Sequence, residues 1–173
     1  MRAQPVSRSA PWRSLSSAVA LAGLLAGACG ASAPIAGPIT PGTPSAPRIV
    51  NVIMRDYGFE PTPLRLVRGE TVRFNIIDAG LLAHDFVLGR ADVQAAWAAA
   101  EAAATPPIIT ATPPPVTVPA AVAGLRVYLH SGESDSVLYT VPVDGGLQLA
   151  CAVPGHAAQG MVGVVAYVEP SPP

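Results

Sequence analysis

The segment from Cys151 to Met161 carries three side chains that bind soft metals within eleven residues. A thiol at Cys151, an imidazole at His156 and a thioether at Met161 are spaced as C-x4-H-x4-M. Thiolate and imidazole with a weak thioether suit copper, which cycles between two oxidation states. A second imidazole, from His84, completes the donor set of a blue-copper site. We therefore predict a single mononuclear copper ion held by His84, Cys151, His156 and Met161.

Each of these residues also has an ordinary structural interpretation. Met161 could fill a gap in the core, and His84 could be a hydrogen-bonded core histidine. Cys151 with His156 as its base could form a thiol enzyme, in which case the spacing of Met161 is a coincidence. The joint presence of four ligand types in this order favours the metal site. His130, the third histidine, has no partner at ligand spacing and is predicted to end a strand.

The function expected of such a site is electron transfer rather than catalysis. Further copper ions, as in a multicopper oxidase, would need H-x-H pairs, and the sequence has none. A binuclear copper centre would need a second cysteine in the ligand loop, the segment from Cys151 to Met161, which holds only Cys151. A full coordination sphere of two His, one Cys and one Met leaves no open position for a substrate. We therefore expect a carrier of single electrons that is not an enzyme; storage or delivery of copper by the same ligands is the alternative.

The first 28 residues have the form of an export signal. Three arginines precede an apolar run at residues 18–26, which is too short for a bilayer that needs about 20 residues. The small residues before Cys29 resemble the lipobox of bacterial lipoproteins. We predict that residues 1–28 are a lipoprotein-type signal peptide and that Cys29 is lipidated, which would anchor the exported protein to the cell membrane on its periplasmic or extracellular side. Secretion without a lipid is the alternative.

The segment 29–47 is rich in Pro, Ala and Gly and predicts an extended tether. If Cys29 is lipidated or removed, Cys151 is a lone thiol in an oxidising compartment, where cysteines normally pair. An unpaired thiol in that compartment needs a role such as metal binding. The folded domain is expected to span residues 48–169, followed by a tail at 170–173.

The elements that must position the ligands follow from the spacing of apolar residues. Period-two alternation begins near Ile49 and recurs in short runs that turn residues separate. Seven or eight short strands of this kind predict an all-β, Greek-key β-sandwich. His84 alternates with Phe86 and Leu88, so its ring is expected to point toward the core. An Ala-rich helix at 91–104 and a Pro-rich loop to residue 124 are predicted as an insertion, 91–124, between strands.

The charge balance bears on the partners. After removal of the signal, seven arginines face eleven acidic residues, and the sequence has no basic stripe of the kind that neutralises phosphates. We therefore expect no nucleic-acid binding. A mildly acidic surface would suit a basic redox protein as partner. We expect the chain to act as a monomer.

The ligand loop resembles that of the cupredoxin family, and its spacing is most similar to rusticyanin and sulfocyanin. The resemblance covers about residues 49–169 and implies a Greek-key sandwich with one type 1 copper ion held by His84, Cys151, His156 and Met161. The matching motifs are Phe59-x-Pro61, Arg68-Gly69-Glu70-Thr71-Val72, Ala83-His84-Asp85-Phe86, Gly132-Glu133-Ser134, Pro154-Gly155-His156 and Gly160-Met161-x-Gly163.

Two departures from that family pattern concern residues beside the ligands. Leu147 and Leu149 stand where many relatives have an aromatic residue, and leucines there would keep the site dry. Asp85 stands where Asn or Ser is frequent. Asp85 is expected either to clamp the ligand loop by a hydrogen bond or to be a solvated surface residue.

Overall fold

The computed structural model describes residues 37–104 and 115–171. The predicted signal peptide, Cys29 and the first part of the predicted tether lie outside these residues. In the part of the chain that is described, no helix is long and apolar enough to cross a membrane.

The described residues form ten strands and one α-helix, labelled in chain order, with two short 3-10 turns at Ala120–Val122 and Ala157–Gln159. The strands and helix are β1 (Arg48–Arg55), β2 (Gly58–Glu60), β3 (Leu64–Leu66), β4 (Thr71–Asp78), β5 (His84–Gly89), α1 (Ala91–Ala104), β6 (Leu125–Leu129), β7 (Ser134–Thr140), β8 (Gln148–Ala150), β9 (Val162–Gly163) and β10 (Val165–Tyr167).

Two four-stranded sheets make up the β-sandwich that the alternation predicts. The first sheet has the order β2-β1-β4-β7 and the second β6-β5-β8-β9, while β10 and β3 form a short parallel pair. β1 and β4 are parallel, and every strand pair of the second sheet is antiparallel. The inward faces meet in one core, which includes Val52, Met54, Phe74, Phe86 and Leu88. The predicted all-β sandwich is therefore confirmed.

Helix α1 has the bounds that its Ala-rich sequence predicts. Its two buried apolar residues, Val93 and Trp97, pack against Val87 of β5 in a cluster separate from the main core. The indole N–H of Trp97 donates a hydrogen bond to the carbonyl of Ala123, 2.8 Å away. The helix therefore covers part of the second sheet. Residues 105–114 of the predicted loop lie outside the described ranges.

Residues 37–47, which the sequence predicts to be part of the tether, are hydrogen-bonded to the domain. The carbonyl of Ile39 accepts a hydrogen bond from the N–H of Ser171, and the carbonyl of Gly42 accepts one from Thr71, both at 2.9 Å. Beside them the buried carboxylate of Glu70 is held by Arg48, whose Nε lies 2.7 Å from Oε2. The segment is ordered because it satisfies these backbone groups at the end of the sandwich. Residues 170–171 of the predicted tail contact this segment, through the Ser171 hydrogen bond and an isolated β-bridge between Pro170 and Ile39.

Candidate metal centre

The candidate site lies at one end of the sandwich. β1, β4 and β8 end there, and β5 begins there, so the residues at these strand ends are brought together from distant parts of the sequence. They are Asp56 after β1, Asp78 at the end of β4, His84 at the start of β5 and Cys151 after β8.

The ligand loop folds back on itself. The N–H of Cys151 donates to the carbonyl of Met161 at 3.1 Å, and the N–H of Met161 donates to the carbonyl of His156 at 3.0 Å. The 3-10 turn between them ends at Gly160, whose φ of 102° favours glycine. These bonds hold the backbone of Met161 beside that of Cys151, and the side chain of Met161 is fully buried.

The sulfur of Cys151 contacts a second predicted ligand directly. Sγ lies 3.5 Å from Nδ1 of His156, and it accepts a hydrogen bond from the backbone N–H of Asp85 at 3.3 Å. Burial raises the pKa of the Cys151 thiol to about 11. A nucleophilic cysteine needs a lowered pKa and some exposure, so this environment disfavours the thiol-enzyme interpretation. A thiolate at this position needs a cation beside it.

His84 is fully buried and has two different environments at its two ring nitrogens. Nδ1 lies 2.9 and 3.1 Å from the carboxylate oxygens of Asp78, to which it donates. Nε2 lies 3.5 Å from Oδ1 of Asp56 but forms no hydrogen bond. Among the described residues, it is the one buried side-chain nitrogen or oxygen that has no hydrogen-bond partner. A buried imidazole nitrogen with an unused lone pair fits a metal ligand.

The ring of His156 packs between two other rings. Its centroid lies 5.1 Å from that of His84 and 5.3 Å from that of Tyr57, which meets it edge-on. Burial and the neighbouring His84 lower the pKa of His156. A lowered pKa favours the neutral imidazole, the form that binds a metal.

The four predicted ligands are therefore neighbours. Cys151 contacts His156, His84 packs on His156, and Met161 returns to Cys151. Within residues 37–104 and 115–171, no group of three or more His, Cys, Asp and Glu side chains is already arranged to hold a metal ion. The ligand assignment stays a prediction that rests on the proximity and chemistry of two imidazoles, a thiol and a thioether, a donor set that fits copper.

Two curated proteins named copper-resistant cuproprotein CopI are similar to this chain in sequence. The protein from Rubrivivax gelatinosus is 35% identical over 121 residues, which cover 69% of this chain and 66% of that protein. The protein from Pseudomonas aeruginosa is 28% identical over 181 residues, which cover 88% of this chain and 96% of that protein. No protein-family model matches the chain.

Solved structures of auracyanins share the fold. Auracyanin B aligns with 76% of this chain and 95% of its own length, at 28% identity and a TM-score of 0.53. Auracyanin A, described as a blue copper protein from Chloroflexus aurantiacus, aligns with 71% of this chain and 100% of its own length, at 22% identity and a TM-score of 0.53. The chain belongs to the cupredoxin family. The resemblance to the cupredoxin family that the ligand-loop motif indicates is thereby confirmed, and the similarity to rusticyanin and sulfocyanin stays a prediction.

The two expectations for Asp85 of this cupredoxin have different outcomes. Its carboxylate is fully buried and bound by Arg126, with Nε 2.7 Å from Oδ1 and Nη2 3.2 Å from Oδ2. The surface interpretation is therefore wrong. Asp85 does bind the ligand loop, but through its backbone N–H to Cys151. Leu147 and Leu149 are buried in the core, as expected of a dry site.

Three residues of the cupredoxin site were not predicted from the sequence. Asp78 binds His84, Tyr57 packs on His156, and Oδ1 of Asp56 accepts hydrogen bonds from the N–H groups of residues 81 and 82, just before His84. A signal for Asp78 exists, because it continues the inward alternation of β4 and is therefore a carboxylate on the core face. Asp56 and Tyr57 lie in a turn, where no periodicity indicates direction.

Proposed function

We propose that this cupredoxin binds one copper ion through His84, Cys151, His156 and Met161 and transfers single electrons between extracytoplasmic redox proteins. The observation that supports this most directly is the burial of all four donors, of which His156 is the most exposed at 7%. A substrate or a second ligand would need an open side. These side chains leave little of one.

Copper in this site would supply a one-electron couple between its two oxidation states. The residues of the chain would contribute a donor set that changes little between those states. Backbone hydrogen bonds fix the loop at Cys151, His156 and Met161, and Asp78 fixes the ring of His84. A site that is held by the fold in this way has little to rearrange when an electron arrives or leaves.

Copper storage or delivery is the second candidate, and the names of the relatives favour it. Both are called copper-resistant cuproproteins. Delivery requires that the ion leave the site on a physiological timescale. The burial of Cys151 and Met161 opposes fast release of the ion, so the geometry favours electron transfer.

The test is to load the exported domain, residues 37–173, with Cu(II) and record its visible spectrum, its voltammogram and its loss of copper to a chelator. An electron carrier shows an intense thiolate-to-copper band, a reversible one-electron wave and copper that stays bound for hours. Copper that passes to the chelator within seconds to minutes would favour delivery. A domain that takes up Cu(II) without a visible band would contradict the ligand set.

The proposed location is the outer side of a cell membrane, through a lipid on Cys29. The motivation is the lipobox-like sequence, since Cys29 lies outside the described residues. The Cys29→Ala variant should move from the membrane fraction to the soluble exported fraction with its spectrum unchanged. Recovery of the unmutated protein in the soluble fraction would disprove the anchor.

A further inference from the structure

A largely buried ionic network connects helix α1 to Asp85, the residue whose N–H donates to the sulfur of Cys151. Arg126 of β6 binds the carboxylate of Asp85 and also that of Glu101 near the end of α1. Its guanidinium carbon lies 4.4 Å above the centroid of the Trp97 ring. The side chains of Arg126 and Glu101 are only 16% and 12% exposed, and that of Asp85 is fully buried. The guanidinium is therefore bound by one carboxylate from β5 and one from α1, and it stacks on the Trp97 ring.

The position of this network follows from strand register. Asp85 pairs with Tyr128 and Val87 pairs with Arg126 across β5 and β6, so all four side chains share the face of the second sheet that α1 covers. The preceding residue, His84, points to the opposite face. The peptide group at Asp85 therefore lies between the ionic network on one face of the sheet and the candidate metal centre on the other.

We propose that Arg126 is a positioning residue that connects α1 to the hydrogen bond received by Sγ of Cys151. A guanidinium bound bidentately to Asp85 and stacked on Trp97 fixes the side chain of Asp85, and with it the backbone N–H that points at the sulfur. Hydrogen bonding around the cysteine sulfur tunes the potential of a blue-copper site. The inserted helix thereby acts on the electronic environment of the proposed copper ligand, and this consequence rests on the proposed function.

The first test uses the metal-free protein. Glu101→Gln removes the charged partner of Arg126 on α1 and keeps the Trp97 stacking and the Asp85 pair. Arg126→Gln removes both ion pairs and the stacking. Amide hydrogen exchange at Asp85 and alkylation of Cys151 by iodoacetamide should each accelerate, by about tenfold for a lost hydrogen bond. Arg55→Gln, which breaks the exposed pair with Glu60 in the other sheet, is the matched control and should change neither rate.

The outcomes separate positioning from general stability. The amide of Leu88, on the same strand, serves as the internal reference. Equal acceleration at Leu88 and Asp85, or rates like those of the parent in Glu101→Gln, would overturn the proposal. If Arg126→Gln does not fold, because the buried Asp85 and the partly buried Glu101 lose their cation, Glu101→Gln alone decides.

The second test uses copper-loaded protein. The thiolate-to-copper band should shift in Glu101→Gln and stay unchanged in Arg55→Gln, because its energy depends on the electron density at Cys151 Sγ. An unshifted band would overturn the effect on the copper ligand. Absence of the band in the parent protein would contradict the proposed function instead, and the metal-free experiment would still decide whether Arg126 positions Asp85.

Discussion

Nδ1 of His84 lies 2.9 and 3.1 Å from the two carboxylate oxygens of Asp78, and both side chains are fully buried. A carboxylate that accepts the proton of one ring nitrogen fixes the tautomer and orientation of the imidazole and raises the basicity of the other nitrogen. In His84 that other nitrogen is Nε2, which has no hydrogen-bond partner in the described structure. The pair therefore prepares His84 to act as a ligand.

Asp78→Asn should weaken copper binding by about 10- to 100-fold, the usual cost of losing such a partner. The amide is nearly isosteric but carries no charge, so the ring of His84 is held less firmly. A competition titration against a copper chelator measures the affinity. Asp135→Asn, which changes an exposed carboxylate on β7, is the control. Equal affinities for the two variants would show that Asp78 does not orient the ligand.

Gly80→Ala should displace the ring of His84. A Cβ at residue 80 would lie 2.5 Å from Cε1 of His84 and 2.7 Å from Oδ1 of Asp56. His84 is fully buried, so its ring can move only by disturbing the site, and copper affinity should fall at least about tenfold. Gly58→Ala is a matched control, because no atom lies within 4 Å of the added carbon. Unchanged affinity for Gly80→Ala would argue against His84 as a ligand.

Cys151→Ser and Met161→Leu should change the copper centre in different ways, because the thiolate would form a short, strong bond to copper and the thioether a long, weak one. Cys151→Ser should lose the visible band and the reversible couple. Met161→Leu should keep a coloured centre with a raised reduction potential, since losing a weak donor destabilises the oxidised ion more than the reduced one. Spectra and voltammetry of both variants and the parent test this, and a coloured Cys151→Ser protein would contradict the ligand set.

Trp97→Ala should destabilise the metal-free domain by about 3–5 kcal/mol, the usual cost of truncating a buried aromatic residue. The indole packs on Val87, stacks on Arg126 and donates a hydrogen bond to the carbonyl of Ala123. Urea denaturation measures the free energy of unfolding. Val143→Ala, at a residue that is 76% exposed, should change it by less than about 0.5 kcal/mol. Equal stabilities would mean that α1 does not support the sheet.

Asp85 should make the metal-free domain less stable as the pH rises. Burial raises the pKa of Asp85 from 3.8 to about 6 although Arg126 opposes the shift. The unfolded chain therefore loses this proton first, so the free energy of unfolding falls between about pH 4 and 6 and is then constant. The contribution is on the order of 3 kcal/mol. Asp85→Asn should remove this part of the pH dependence, which urea denaturation at pH 4 and 7 measures; identical profiles would contradict it.

The strand pattern and the ligand spacing were accessible from the sequence because both are local. Apolar alternation identifies β1, β4 and β5, and the loop from Cys151 to Met161 carries its ligands within eleven residues. Helix α1 was accessible because its composition leaves few alternatives. Each of these signals lies within one short segment of the chain.

The surroundings of the ligands were not accessible because they depend on strand pairing. Arg126 meets Asp85 only through the register of β6 against β5, and Glu101 joins them only once α1 lies on that sheet. The order at residues 37–47 has the same origin. Their Pro-rich composition resembles a linker, and they are held by partners such as Thr71 and Ser171 that lie far along the chain.

Residues 37–47 contact the domain at the end of the sandwich where β1 begins. The N–H of Gly42 donates to the carboxylate of Glu70, beside Arg48, where β1 begins. The candidate metal centre lies where β1 ends, eight residues or about 26 Å away. The segment 37–47 and the candidate metal centre therefore lie at opposite ends of β1. A protein partner that docks over the candidate metal centre would therefore contact the domain at the end of β1 away from residues 37–47.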